Sequence, residues 1–217
     1  MFLDTANIKD INLYIKTGVF KGVTTNPTIL LKEKKSRQYQ LNSILETSVE
    51  IVFVQLVGST VEELLDDYKA LKKINTDKTI GYKISMDFEG LEAASKIKKM
   101  DKDSLILATA IYSADQGILA GLAGCDYVAP YVNRMIDIGI DPFDAIRKMR
   151  LFYDDRDIKC RILAASFKNT SQVINSLDSG AHTVTVSPKL FLEMINKEVS
   201  LNAIKVFNDH GEKIKKY

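Results

Sequence analysis

One lysine lies where a buried strand is expected to be apolar. Lys83 falls within the run Thr79–Ser85, on the same alternating face as Gly81 and Ser85. An isolated buried ammonium group is costly, so its pKa falls and the amine becomes neutral. A neutral amine can attack a ketone and form a Schiff base. We expect the small residues Gly81 and Ser85 to leave room for a substrate. The alternative is a strand-end lysine that extends its charge into solvent.

Six other runs carry a polar residue near the end of an expected strand. A carboxylate there could relay protons, an amide could position water, and a phenol could act as an acid or base. Each has a structural alternative, such as a helix cap for Asp4, an Asn-Pro turn for Asn26 or a core aromatic for Tyr131. The residues are Asp4 in LDTAN, Asn26 in TTNP, Gln55 in VFVQLV, Thr109 in LATA, Tyr131 in APYVNR and Ser166 in ASFK.

Arg134 directly follows the run that contains Tyr131. Together with Ser166 it could hold a phosphate, because guanidinium geometry matches phosphate oxygens. The alternative is a surface ion pair, which contributes little to stability. The combination of a lysine, a phenol, a carboxylate and this arginine suggests an amine-dependent enzyme acting on a phosphorylated carbonyl compound.

Eight short apolar or β-branched runs alternate with stretches of helical periodicity, which predicts parallel strands joined by helices. An open doubly wound sheet and a closed (β/α)8 barrel both satisfy this order. Even spacing and the lack of a Gly-rich turn after the first run favour the barrel, with chemistry at the carboxyl ends of the strands. Pro130 conflicts with a regular sixth strand. The runs are Phe2–Thr5, Gly22–Thr25, Ile51–Val57, Thr79–Ser85, Leu105–Ala110, Tyr127–Val132, Arg161–Ser166 and Thr183–Ser187.

The 217 residues predict a single barrel domain, 1–217, with an appended amphipathic helix at about 200–217. A net charge of +2 gives no argument for a nucleic-acid or membrane-surface partner. The two cysteines and two histidines have no metal-ligand spacing, so we expect no metal. The N-terminus lacks a signal-peptide pattern and no apolar run approaches about 18 residues, so we expect a cytoplasmic protein.

The runs LDTAN, GVTTNPT, LATAIY, YVAPYVNR and LAASFK, together with the strand lysine Lys83, resemble the short-chain transaldolase family. Within it the chain is more similar to the fructose-6-phosphate aldolase branch. The resemblance covers nearly the whole sequence. It implies a (β/α)8 barrel, no cofactor and a Schiff-base mechanism. It also implies homo-oligomers, typically pentamers or decamers, in which the C-terminal helix reaches a neighbour.

The resemblance also implies a role for each matching residue. Lys83 corresponds to the Schiff-base lysine and Tyr131 to the acid/base. Gln55 and Thr109 correspond to residues that place the catalytic water, and Asp4 to one that assists proton transfer. The substrate-binding set comprises Asn26 for substrate hydroxyls, Arg134 and Ser166 for phosphate, and Ala129 for the pocket floor.

Gln55 and Tyr131 indicate the aldolase branch, since transaldolases proper have Glu and Phe at these positions. The implied reaction is cleavage or formation of fructose 6-phosphate from dihydroxyacetone and glyceraldehyde 3-phosphate. One alternative is a transaldolase that transfers the dihydroxyacetone unit to another sugar phosphate. A second is a non-catalytic sugar-phosphate binding protein, suggested by Ser85 where most relatives have proline.

Overall fold

Eight parallel strands form a closed barrel in chain order, with β8 paired to β1. The structure is a computed structural model that describes residues 1–217. It confirms the predicted (β/α)8 barrel. Seven of the eight predicted runs contain a whole strand, and the fifth is one residue shorter than its strand, which ends at Ile111. The strands are β1 Phe2–Asp4, β2 Gly22–Thr24, β3 Ile51–Gln55, β4 Thr79–Ser85, β5 Leu105–Ile111, β6 Tyr127–Pro130, β7 Arg161–Ala164 and β8 Thr183–Val186.

Eleven α-helices surround the strands or follow them, and most begin at a side-chain cap. Thr60 before α4 and Asp87 before α5, for example, accept hydrogen bonds from first-turn amides and so fix where the chain turns from strand to helix. The helices are α1 Ile8–Tyr14, α2 Pro27–Lys32, α3 Arg37–Leu45, α4 Val61–Lys72, α5 Phe88–Met100, α6 Ala114–Leu122, α7 Val132–Asp137, α8 Pro142–Asp155, α9 Thr170–Asp178, α10 Pro188–Ile195 and α11 Glu198–Ile214.

The apolar core is divided by the barrel wall. A large cluster of 40 buried residues fills the layer between strands and helices. A cluster of six fills the barrel interior: Phe2, Phe53, Leu107, Ala129, Leu163 and Ala165. The Phe53 ring makes edge-to-face contacts with Phe2 and Tyr127, at centroid distances of 5.4 and 5.7 Å. The interior is therefore packed and leaves the mouth as the place for polar groups.

Gly81 does not enlarge the space around Lys83, contrary to the expectation from its size. A Cβ at Gly81 would lie 2.4 Å from the Phe53 ring. The space that a side chain at Gly81 would fill is thus occupied by the Phe53 ring of the neighbouring strand β3, with which Gly81 is paired. Gly81 supports the packed floor beneath the lysine.

Pro130 is accommodated as the last residue of β6. The pairing of β5 with β6 shifts there, because Ala108 pairs with Val128 while Ile111 pairs with Pro130. Strand β5 therefore carries one extra residue, and Ala110 adopts the left-handed conformation with φ 57°. The predicted conflict at Pro130 is resolved by a bulge in the neighbouring strand.

The appended helix is present as α11 and buries none of its residues. Its apolar side chains Val199, Leu201, Ile204 and Phe207 are all exposed. No helix in the structure has the length and apolar character needed to cross a bilayer.

Candidate active site

Lys83 lies inside the barrel near the carboxyl end of β4. Its side chain is buried, with 4% of the residue exposed. The Nζ atom donates a hydrogen bond to the Thr25 carbonyl oxygen at 2.8 Å. Burial lowers the pKa of the Lys83 amine, and the nearby charge of Asp4 opposes that decrease. The lysine does not extend into solvent, so a buried amine with reduced basicity is available in the site.

Asp4 ends β1 and belongs to the wall of the site. Its Oδ1 accepts a hydrogen bond from Thr24 Oγ1 at 2.6 Å. Burial raises the pKa of the Asp4 carboxyl, while the charge of Lys83 and the Thr24 hydrogen bond oppose the increase. The cap of α1 is Asn7, whose side chain accepts from Lys9 and Asp10 amides. Asp4 therefore does not cap α1, which was the alternative role that its sequence position allowed.

Tyr131 and Thr109 form a hydroxyl pair at the mouth. The Tyr131 phenol oxygen lies 2.9 Å from Thr109 Oγ1. Burial raises the pKa of the Tyr131 phenol, and the Thr109 hydrogen bond opposes the increase. The phenol is therefore protonated near neutral pH and can donate a proton. The ring packs against the interior cluster, while the phenol oxygen lines both cavities of the mouth.

Gln55 ends β3 on the inward face, beside the lysine-bearing strand. Its Nε2 donates to Ser85 Oγ at 3.4 Å, a long hydrogen bond. In the register Gln55 pairs with Lys83, and Ser85 pairs with Thr109. The amide thus lies on one side of the lysine-bearing strand and Thr109 on the other, and an amide at this position can orient water.

Asn26 caps a helix and also lines the cavity of the site. Its Oδ1 accepts the Ile29 amide at 2.9 Å and caps the short helix α2, which begins at Pro27. The residue also lines the cavity that contains Lys83. Because the cap uses only the carbonyl oxygen, the Nδ2 group remains able to donate to a hydroxyl.

Arg134 projects from α7 and forms no ion pair with an acid. Its Nη1 donates to the Tyr112 hydroxyl at 3.3 Å, and its guanidinium lies 5.2 Å from the Tyr131 ring centre. Ser166 follows β7 with φ 61°, an uncommon conformation for a serine. Ala129 is buried in the interior cluster beneath Tyr131. All three residues line the same cavity.

Two cavities that share four lining residues occupy the mouth. The inner one has a volume of about 110 Å³ and contains Lys83, so it has room for roughly three or four water molecules or an organic fragment of that size. The outer one has a volume of about 430 Å³ and is bounded by Gln55, Thr109 and Lys32. Both include Asp4, Asn26, Tyr131 and Arg134. All nine candidate residues from the sequence therefore converge on one mouth.

Four polar residues of the mouth were not among the sequence candidates. Thr24 and Thr185 line the inner cavity, and Thr28 and Lys32 line the outer one. The alternating pattern that selected Thr109 also applies to Thr24 in β2 and Thr185 in β8, so the two threonines were within reach of the same argument. Lys32 carries no such signal, because it belongs to α2 and reaches the cavity only through tertiary folding.

Comparison with known proteins identifies the family. Residues 1–216 match the family described as "Transaldolase/Fructose-6-phosphate aldolase". Proteins named "Probable transaldolase" from Streptococcus pyogenes serotype M5 (strain Manfredo) and Streptococcus equi subsp. zooepidemicus (strain MGCS10565) are each 31% identical over 215 residues, which is 99% of either chain. A crystal structure of a "putative deoxyribose-phosphate aldolase" from Coccidioides immitis has a TM-score of 0.60 at 14% identity, covering 84% of this chain and 74% of that one, which shows a shared fold.

The barrel and the family together define a barrel enzyme of the aldolase and transaldolase type. The chain belongs to the transaldolase/fructose-6-phosphate aldolase family. This confirms the resemblance seen in the sequence motifs.

Proposed function

We propose that the protein is a lysine Schiff-base aldolase that cleaves or forms fructose 6-phosphate. The observation that carries this proposal is the buried amine of Lys83 in a small cavity that also contains a carboxylate and a phenol. The inner cavity suits a dihydroxyacetone-sized fragment. The outer cavity, with Arg134 and Lys32, suits the phosphorylated remainder.

In the cleavage direction, the Lys83 amine adds to the C2 carbonyl of the open-chain ketose phosphate. Loss of water gives an iminium ion on Lys83, which serves as the electron sink. The ionised Asp4 carboxylate then accepts the proton of the C4 hydroxyl through a bound water, the C3–C4 bond breaks, and its electron pair forms an enamine. Glyceraldehyde 3-phosphate is the aldehyde that leaves.

Completing the cycle requires protonation of the enamine carbon and addition of water to the iminium, which releases dihydroxyacetone and restores the amine. We assign the proton transfers to Tyr131, acting through a water held by Gln55 and Thr109, with assistance from Asp4. The supporting features are the Tyr131–Thr109 hydrogen bond and the protonated state of the phenol. An amide such as Gln55 orients water but does not titrate, so another group must supply the proton.

Reduction of the imine tests the covalent step. Borohydride added with dihydroxyacetone should leave one reduced adduct on Lys83, identified by peptide mass spectrometry. The Lys83→Met variant should give none, and the exposed Lys69 is an internal control that should remain unmodified. An unmodified Lys83 in a protein shown to bind the sugar phosphate would instead favour the non-catalytic binding protein.

The transaldolase alternative keeps the same enamine but passes it to an acceptor aldose phosphate. The curated relatives named as transaldolases favour this alternative, and the Gln55–Tyr131 combination favours the aldolase. Fructose 6-phosphate cleavage measured with and without erythrose 4-phosphate separates the two. Turnover without the acceptor supports the aldolase, and turnover only in its presence supports the transaldolase.

We also propose that the chain forms a homo-oligomer, a pentamer or decamer by the family resemblance. The support from the structure is α11, whose apolar side chains have no partner within the chain. Contiguous exposed apolar surface of this kind commonly marks an interaction site. Light scattering of the purified protein should give a mass several times that of one chain, and a monomer at micromolar concentration would contradict the proposal.

A further inference from the structure

Three side chains from three adjacent strands form a short chain of hydrogen bonds in the wall of the inner cavity. Thr185 Oγ1 lies 2.6 Å from Thr24 Oγ1, which in turn lies 2.6 Å from Asp4 Oδ1. Both threonines are buried, with 4% and 1% exposed. Thr185 reaches the carboxylate only through Thr24, so any influence it has on Asp4 is indirect.

The number of hydroxyl protons fixes the direction of this chain. Each threonine has one hydroxyl proton to donate. When Asp4 is ionised, Thr24 must donate to it, and Thr24 then accepts from Thr185. When the proton is on Asp4 Oδ1, the order reverses and Thr185 must find another acceptor. Thr185 makes no other side-chain hydrogen bond in the structure, so a proton on Oδ1 leaves a buried hydroxyl without an acceptor. A proton on Oδ2 keeps the order of the chain, but Thr24 then donates to a neutral carbonyl oxygen, which is a weaker acceptor than the carboxylate.

We propose that Thr185 is a positioning residue, whose hydroxyl holds Thr24 as a hydrogen-bond donor to Asp4 and thereby favours the ionised carboxylate. This inference rests on the proposed function for its catalytic consequence. The ionised Asp4 is the form that accepts a proton from substrate. Thr185 lines the inner cavity but makes no hydrogen bond to Lys83, so we assign it a positioning role and not a catalytic one.

Other charged and titratable groups also face Asp4, and the test must separate them from Thr185. Lys83 and Lys32 lower the pKa of Asp4 through their charge, and Asp4 in turn raises the pKa of Tyr131. Arg134 lines the same two cavities as Asp4. None of these groups changes when the Thr185 hydroxyl is replaced by a methyl group, so a response to that replacement reports on the hydroxyl chain.

The experiment compares Thr185→Val, which removes the hydroxyl at nearly constant shape, with Thr185→Ser, which keeps it. Thr183→Val is the matched control, since Thr183 lies two residues earlier on the same strand and has no side-chain hydrogen bond. The first readout is the titration of the Asp4 carboxyl carbon by NMR in the intact protein. The second is the pH profile of kcat and kcat/KM for fructose 6-phosphate cleavage.

We expect Thr185→Val to raise the pKa of Asp4 by about 0.5–1 unit, as loss of support for a charge-accepting hydrogen bond predicts. The acid limb of the kcat profile should move to higher pH by the same amount. At pH values on that limb, below the pKa of Asp4, kcat should be reduced about three- to tenfold, with KM within about twofold. Thr185→Ser should restore both readouts, and Thr183→Val should leave them unchanged.

An unchanged Asp4 titration in a folded Thr185→Val protein overturns the inference, whatever its activity. Equal effects of Thr185→Val and Thr183→Val also overturn it, because they indicate general packing damage. Thr185→Ala replaces the valine variant if the latter fails to fold. If the wild-type protein lacks aldolase activity, the proposed function fails, but the NMR titration still decides the role of Thr185.

Discussion

The Tyr131 phenol oxygen is held 2.9 Å from Thr109 Oγ1 by a bulge in the strand that carries the threonine. Ala110, next to Thr109, takes the left-handed conformation, and the register with β6 shifts at this point. An alanine in this conformation is strained by about 1–2 kcal/mol. The fold therefore tolerates a strained backbone at Ala110, next to the residue whose hydroxyl contacts the Tyr131 phenol.

Tyr131→Phe removes the hydroxyl and keeps the ring. We expect kcat to fall by about 10²- to 10⁴-fold, the usual loss for a general acid or base, because the proton source next to Thr109 is gone. The borohydride-trapped adduct on Lys83 should still form at the endpoint, since the amine is intact.

The control is Tyr112→Phe, whose ring lies 5.8 Å from that of Tyr131 and whose hydroxyl accepts from Arg134. It should alter KM more than kcat, because its partner is the expected phosphate ligand. A Tyr131→Phe enzyme with wild-type kcat would exclude the phenol from the proton transfers.

The buried Lys83 amine should change how the free energy of unfolding depends on pH. Its pKa is lowered in the folded state, so between that value and the ordinary value of about 10.4 the unfolded chain holds more protons. The free energy of unfolding should therefore rise with pH in this window, by up to about 1.4 kcal/mol per pH unit from this group.

This contribution can be measured by urea unfolding of the wild type and the Lys83→Met variant. The pH values should run from about 8 to 9.5, below the ordinary pKa of a lysine. All other titrating groups are common to the two proteins, so the wild-type curve should climb more steeply than that of the variant. Parallel curves would show that the amine remains charged in the folded protein.

Gly81→Ala should destabilise the barrel. The added methyl would lie 2.4 Å from the Phe53 ring, and overpacking of this kind costs about 1–3 kcal/mol. Chemical denaturation provides the measurement. Gly211→Ala in α11, with nothing within 4 Å of its added Cβ, is the matched control and should be neutral or stabilising by up to about 1 kcal/mol. A Gly81→Ala protein as stable as the wild type would mean that Phe53 can move aside.

Arg134 and Lys32 should contribute to affinity for the phosphate of the substrate. Both line the outer cavity. Arg134→Gln should raise KM for fructose 6-phosphate by about tenfold or more, as expected for a lost hydrogen bond to a charged group. Lys32→Gln should have a smaller effect in the same direction, because an exposed lysine interacts with phosphate through solvent-screened charge.

Kinetics with a non-phosphorylated acceptor, glyceraldehyde, isolate the phosphate contribution, since neither variant should change KM for it. Lys189→Gln, on the exposed face of α10, controls for net charge. Equal effects on phosphorylated and non-phosphorylated substrates would place the phosphate elsewhere.

Much of the barrel could be predicted from the sequence because its signals are local. The alternation of apolar strands with amphipathic helices specifies parallel pairing, and a side-chain period of two specifies which residues face inward. Lys83, Gln55 and Tyr131 were found in this way, as polar residues at positions where a strand should be apolar or should end.

Tertiary structure decided which of these residues meet and which spaces are filled. The small size of Gly81 predicts space for a substrate, but Phe53 from the adjacent strand occupies that space. Asp4 is equally suited by sequence to a helix cap, but in the structure Asn7 caps α1 and Asp4 contacts Thr24. Lys32 and the Thr185–Thr24–Asp4 chain depend on contacts between residues 20 or more positions apart in sequence. Local sequence patterns specify the direction in which a side chain points. Its neighbours are set when the barrel closes, and closure depends on all eight strands together, so no single segment of the sequence determines them.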